Sequence, residues 1–316
     1  MKNFADQLVR RIAELDNPTV MGLDPKLEYI PQFLIDQAKD EYPDDMEKAS
    51  AHAIWLFNKA LIDAVCDIVP AIKPQFAYYE LYGIEAVKVL NKTIEYAQSK
   101  GMLVIGDCKR NDIGATSTAY AEGIIGSTEI IGGEKIPMTG CDCATINAYL
   151  GIDGVKPFLD VCSRDGKGIF ILVRTSNPSA GDLQDLELKD GRKVYEAMAQ
   201  LVNTWGSELA GEEGFSSVGA VVGATWPEQA VEARKLMPNN LILVPGYGAQ
   251  GAGPDSAVAS FTKDGKGSIV NASRSLMCAW KKREDLQPED FAQATRDEAI
   301  DMKTKLNNAL KDRKYV

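Results

Sequence analysis

Eight short apolar segments recur along the 316-residue chain, most of them followed by a stretch of helical periodicity. This alternation predicts an α/β protein folded as a closed (β/α)8 TIM barrel. The conspicuous polar residues fall just past the C-terminal ends of those segments, the face on which such barrels build their sites. No low-complexity linker interrupts the pattern, so residues 1–316 read as a single domain with extended loops. An open doubly wound sheet is the alternative, but it rarely repeats the unit eight times.

The elements follow in order. Residues 1–16 form a helix with Phe4, Leu8, Ile12 and Leu15 on one stripe, a face that should dock on the barrel. They lack an apolar h-region and so do not read as a signal peptide. Residues 19–23 are the first strand, ending in Asp24-Pro25. Residues 46–68 are helical through Ile54, Phe57, Leu61 and Val65. The second strand, 69–72, ends in Lys73-Pro74, and the helix 82–99 carries Ile84, Val87, Leu90 and Ile94 on one side. The third strand, 102–105, precedes a helix at 115–122. The fourth, 143–146, precedes a helix at 156–162; the fifth, 168–173, precedes one at 193–209. The sixth, 218–222, is followed by the helix 227–236. The seventh, 241–244, runs into the glycine-rich PGYGAQGAG, and the eighth, 268–271, into Ala272-Ser273-Arg274-Ser275. A helix over 288–310 should pack back on the barrel. Segments 128–141 and 176–192 are longer than ordinary connections and read as functional loops or decoration.

Composition narrows the function. An apolar content of 45% supports a sizeable core, while a net charge of −10 argues against nucleic acid or an anionic membrane as partner. An anionic small molecule could bind only where Lys and Arg are concentrated locally. No stretch is long enough for a membrane span. The six cysteines, 66, 108, 141, 143, 162 and 278, are scattered as expected for reduced thiols in a cytoplasm. Cys141 and Cys143 lack the second half of a zinc site, and the sole histidine, His52, lies in a helical pattern away from the other polar clusters, which rules out a His-rich metal site and argues against a His-based triad.

The densest chemistry lies in MLVIGDCKRNDIGAT, residues 102–116. Strand alternation should point Asp107 and Lys109 the same way. Asp112, just beyond, is close enough to complete a carboxylate–ammonium–carboxylate cluster. Such charges at the mouth of a buried strand are costly to desolvate, so they form either a loop-fixing ion pair or a pre-organised site. The glycine-rich loop after strand seven and Arg274 after strand eight match the usual barrel phosphate site. Freed backbone N–H groups, the Gln250 amide and the Arg274 guanidinium suit a phosphate dianion. Asp24 and Lys73 read either as a rim ion pair or as binders of sugar hydroxyls. Ser176 is either a turn residue beside Pro178 or a contact to a ligand ring.

GDCKRNDIGAT, with its D-x-K-x-x-D core, resembles the signature of the orotidine 5′-phosphate decarboxylase family. GLDP at 22–25, IKPQFAYYE at 72–80, SNPSA at 176–180, PGYGAQG at 245–251 and NASRS at 271–275 resemble it too, in family order across nearly the whole chain. The long loops resemble the larger bacterial-type form. The resemblance implies decarboxylation of orotidine 5′-monophosphate to UMP in pyrimidine biosynthesis, with Lys109 protonating C6 of the pyrimidine. Asp107 would hold that lysine and crowd the substrate carboxylate. Asp112 and Thr116 would reach the partner's site in a homodimer with shared active sites. Ile113, Tyr120, Ile124 and Ile125 offer apolar surface for that contact. Asp24 and Lys73 would bind ribose hydroxyls, Ser176 the pyrimidine edge, and Gln250 with Arg274 the phosphate. No thiamine, pyridoxal or metal signature is visible, so the expected chemistry is cofactor-free, with Lys109 kept protonated by neighbouring carboxylates. A Mg²⁺-dependent sister barrel acting on a sugar phosphate, and a non-enzymatic nucleotide-binding barrel, are the competing expectations.

Overall fold

The computed structural model describes residues 3–248 and 251–313. Its strands are β1 (Thr19–Leu23), β2 (Ala71–Pro74), β3 (Leu103–Arg110), β4 (Thr128–Glu129), β5 (Lys135–Ile136), β6 (Cys143–Ile146), β7 (Gly168–Arg174), β8 (Ser216–Val222), β9 (Asn240–Val244) and β10 (Ser268–Ala272). All but β4 and β5 are parallel neighbours in one closed barrel, in the order β1-β2-β3-β6-β7-β8-β9-β10 and back to β1. This is the TIM barrel. β4 and β5 form a small antiparallel hairpin inside segment 128–141.

Alternation along the strands separates two cores. Val20, Ala71, Ile105, Cys143, Phe170, Leu241, Leu243 and Ile269 gather in the lumen. Met21, Ile72, Val104, Ala144, Ile171, Ala220, Ile242 and Val270 pack outward under the helices. Burial on both faces is why the strands read as unbroken apolar runs. The helix Phe4–Leu15 joins the lumen cluster through Phe4, Ala5, Leu8 and Val9, plugging the N-terminal end of the barrel. Phe4 meets Phe170 edge-on at 6.2 Å. It also lies over Gly168, where a Cβ would come within 2.3 Å of its ring. Buried Asp6 accepts from the N–H groups of Glu212 and Glu213 at 3.1 and 2.8 Å, fixing the turn before β8. At the other terminus, Phe291 of the helix Phe291–Lys311 stacks on Phe57 at 5.4 Å.

Several details depart from the sequence expectation, and β3 runs on to Arg110, so Asp107 and Lys109 lie within it. The second strand starts at Ala71, after Pro70, which has no N–H to give a ladder, and it extends to carry Lys73 within it. The helix Gly83–Ser99 buries Ala86, Val89, Leu90, Thr93, Ile94 and Ala97, leaving Ile84 exposed and Val87 half-buried. Small residues, invisible to a count of large apolar ones, set that face. A helix at Gln32–Glu41 gave no signal strong enough to assign.

Candidate active site

The C-terminal ends of the barrel strands surround a cavity of about 690 Å³. Asp24, Lys73, Asp107, Lys109, Ser176 and Arg274 all line it, as their positions at or just past the strand ends require. Gln250 lies outside the described residues. Lys26, Lys73, Lys109 and Arg274 set four cations against the carboxylates of Asp24 and Asp107, so an acidic protein carries a locally cationic mouth. A second cleft, about 520 Å³, lies at the opposite end beside Val9, Ile12 and Leu310; its walls lack this lysine–carboxylate array.

Asp107 is the centre of the array. Its Oδ2 accepts from Lys73 Nζ at 2.5 Å and from Gln75 Nε2 at 3.0 Å. Its Oδ1 accepts from Lys109 Nζ at 2.5 Å and from Thr145 Oγ1 at 2.9 Å. These four donors match a carboxylate's four acceptor sites and leave no lone pair for a metal ion. Burial pushes the Asp107 carboxyl up, but Lys73 and Lys109 outweigh it and hold the group well below the usual carboxylate range. Burial likewise lowers Lys73, but Asp107 and then Asp24 outweigh it and raise the ammonium above its ordinary value.

Lys109 reaches Asp107 by an unusual route. Simple alternation fails here: the β3–β6 register shifts between Gly106 and Arg110, and Lys109 has φ +50°, in the left-handed region. A non-glycine residue held there costs on the order of 1–3 kcal/mol, a strain typical of functional positions. Thr145 Oγ1 accepts from the Lys109 N–H at 3.1 Å while donating to Asp107, so one hydroxyl ties both residues. Lys109 keeps 45% of its side chain exposed to the cavity and solvent, whereas Lys73 is buried.

Three expectations are corrected. Within this chain the cluster is ammonium–carboxylate–ammonium, because Lys73 supplies the third charge and Asp112 does not. Asn111 and Asp112 fold instead over the helix Ile152–Asp165, so close that a Cβ on Gly154 would meet Asn111 Oδ1 at 2.5 Å and the Asp112 carbonyl at 2.7 Å. The Asp112 carboxylate accepts from the Ile113 N–H at 2.7 Å. Thr116 is exposed on the helix Gly114–Ile124, outside the cavity lining. The apolar surface beside Asp112 also differs from expectation. Ile124 and Ile125 are buried in their own chain and Tyr120 packs against its core. Ile113 is exposed, as are Tyr149, Leu150 and Ile152. Asp24 and Lys73 do not form the rim ion pair; Lys73 is committed to Asp107, and Asp24 Oδ1 is buried without a hydrogen-bond partner among the described residues.

Several lining residues escaped the sequence reading. Thr145 is the one polar residue in the apolar run CATI, a signal that was available. Asn271 and Tyr78 lie inside quoted motifs. Leu172, Val221 and Leu243 make an apolar wall on the β7–β9 side, facing the charged β2–β3 side.

This barrel and its lysine–carboxylate mouth define the class, a (β/α)8-barrel enzyme with a charged site at the C-terminal face of the strands. Residues 56–287 match the orotidine 5′-phosphate decarboxylase / HUMPS family, and the chain belongs to that family. A Rhodopirellula baltica orotidine 5′-phosphate decarboxylase is 43% identical over 284 residues, 90% of this chain and 91% of that protein. A Clostridium perfringens protein of the same name is 38% identical over 308 residues, 97% of this chain and 99% of its own. The Leishmania donovani OMP decarboxylase structure matches with a TM-score of 0.69 at 27% identity, covering 96% of this chain and 99% of that one.

Proposed function

We propose that this chain decarboxylates orotidine 5′-monophosphate to UMP in pyrimidine biosynthesis, using only its own side chains. The observation that carries this reading is the Lys73–Asp107–Lys109 array, saturated with donors and set at the mouth of a cationic cavity. The C6–carboxylate bond breaks, CO₂ leaves, and the electron pair stays on C6. Lys109 stabilises that developing charge and transfers its proton to C6, then recovers one from solvent through its exposed flank. Asp107 orients Lys109 and meets the departing carboxylate with like charge. Lys73 holds Asp107 ionised, so the array keeps its charge before substrate arrives.

The remaining roles follow from the lining. The unpartnered Asp24 Oδ1 suits a ribose hydroxyl donor, with Lys73 beside it. Arg274, with the backbone of Pro245, Gly246 and Tyr247, suits the phosphate. The apolar wall of Leu172, Val221 and Leu243 suits the face of the pyrimidine, and Ser176 its polar edge. Asp112 and Thr116 serve the partner's site in a homodimer. Exposed Ile113 and Tyr149, at 55% and 78%, give that contact its apolar surface. The chain acts as one domain, and we place it in the cytoplasm, in keeping with its six free thiols. No helix among the described residues is long and apolar enough to cross a membrane.

Replacing Lys109 by Ala tests the proton-donor role. The variant should fold and still bind a nucleotide product analogue while losing nearly all turnover. Activity within about tenfold of the parent, roughly 1.4 kcal/mol of barrier, would remove the lysine from the mechanism.

A further inference from the structure

Strand β7 sends Phe170 and Leu172 into the lumen, and strict alternation would send Arg174 there as well. It does not line the cavity. The β7–β8 register shifts between Leu172 and Arg174, and such a bulge re-aims the side chain beyond it. Arg174 ends 1% exposed, behind the wall of the site. A buried guanidinium is costly unless its donors are satisfied. Here Nε donates to Gln229 Oε1 at 2.5 Å, Nη1 to Gln184 Oε1 at 3.1 Å and Nη2 to Asp185 Oδ2 at 3.0 Å. The Trp226 ring lies 5.4 Å from the guanidinium carbon.

The acceptors of this guanidinium lead back to the cavity. Gln184 Oε1 also accepts from the Thr175 N–H at 2.9 Å, and its Nε2 donates to Thr175 Oγ1 at 2.8 Å. The residue immediately before Ser176 is thus held at both its backbone and its hydroxyl. Behind Ser176 there is no slack: a Cβ on Gly223 would come within 2.8 Å of the Ser176 Cβ, and Gly223 N donates to the Arg174 carbonyl at 2.8 Å. Gln229 bonds Asp185 as well, at 3.3 Å, tying the loop after β7 to the helix Pro227–Leu236.

We propose that Arg174 and Gln184 are positioning residues: together they form a clamp that fixes Thr175 and so sets Ser176 against the pyrimidine ring. This rests on the reading of Ser176 as a pyrimidine contact. Arg174 and Gln184 touch no substrate; they act through Thr175, the residue before Ser176.

The test is a double-mutant cycle on the full chain, with kcat and KM for orotidine 5′-monophosphate measured beside thermal melting. Gln184 is only partly buried, so its replacement leaves the barrel core intact. Gln184→Ala should lower kcat/KM about tenfold, within the range of coupling between contacting residues. Gln184→Glu still accepts from both Arg174 and Thr175, and should stay within about threefold of the parent by the same scale. Once Ser176→Ala is present, adding Gln184→Ala should cost nothing further. Full additivity of the two losses, or a Gln184→Ala variant with parental kcat/KM, overturns the clamp while leaving Ser176 in its role. A Ser176→Ala variant with parental kcat/KM overturns the pyrimidine contact itself, and the clamp with it.

Discussion

Asp107→Ala is the most informative single perturbation of the array. Four donors lose their acceptor: the Lys73 and Lys109 ammoniums, the Thr145 hydroxyl and the Gln75 amide. Lys109 is nearly half exposed and can rehydrate, so it contributes little to the loss. Lys73 is buried and cannot, and Asp24 is the carboxylate left nearby among the described residues to oppose its charge. Breaking a buried pair costs about 3–5 kcal/mol, and the surviving Asp24 puts this case near the lower end, about 3 kcal/mol. With a urea m-value near 3 kcal/mol/M, the unfolding midpoint should fall by about 1 M. The pH dependence is also set. Asp107 has a depressed folded pKa, so its contribution is complete above the unfolded carboxylate value of about 3.9 and is lost as pH falls through the lower folded one. Lys73 has a raised one, so its contribution is complete below the unfolded lysine value of about 10.4 and is lost as pH climbs through the higher folded one. The gap between parent and variant should therefore be flat from about pH 5 to pH 9 and narrow outside it. Equilibrium urea unfolding at several pH values measures this. A midpoint shift below about 0.3 M at pH 7, under 1 kcal/mol by the same m-value, would refute the reasoning that Lys73 depends on Asp107.

Arg274→Ala should weaken orotidine 5′-monophosphate binding by about 2–5 kcal/mol, the scale for truncating one partner of a close charge pair. The loss should shrink sharply for orotidine without its phosphate; equal losses would place Arg274 elsewhere. Mixing inactive Lys109→Ala with inactive Asp112→Ala subunits should restore activity on exchange, since a heterodimer would hold one site with both lesions and one with neither. A mixture that stays dead after exchange is confirmed by mass would return Asp112 to its own chain.

Much of this site was legible because strong strands announce their own ends. Asp24, Lys73, Ser176 and Arg274 line the cavity where the apolar runs stop, and the barrel geometry does the rest. What could not be read depends on the course of the chain in space. The left-handed backbone at Lys109 and the bulges in β3 and β7 break the period-two rule just where the functional side chains sit. Asp112 left the expected cluster because Gly154 admits residues 111 and 112 onto a helix distant in sequence. Lys73 took its place across a strand pair that no local pattern encodes. Arg174 carries no signal in the sequence, where a single arginine at a strand end is indistinguishable from a rim charge; its burial shows otherwise.

The most direct measurement is turnover of orotidine 5′-monophosphate by the purified protein in excess EDTA, following nucleotide and released CO₂ together. UMP and CO₂ should appear in equal amounts at an undiminished rate. Loss of activity in EDTA with recovery on adding Mg²⁺, or no consumption of orotidine 5′-monophosphate under any condition, would contradict a cofactor-free decarboxylase built on Lys73, Asp107 and Lys109.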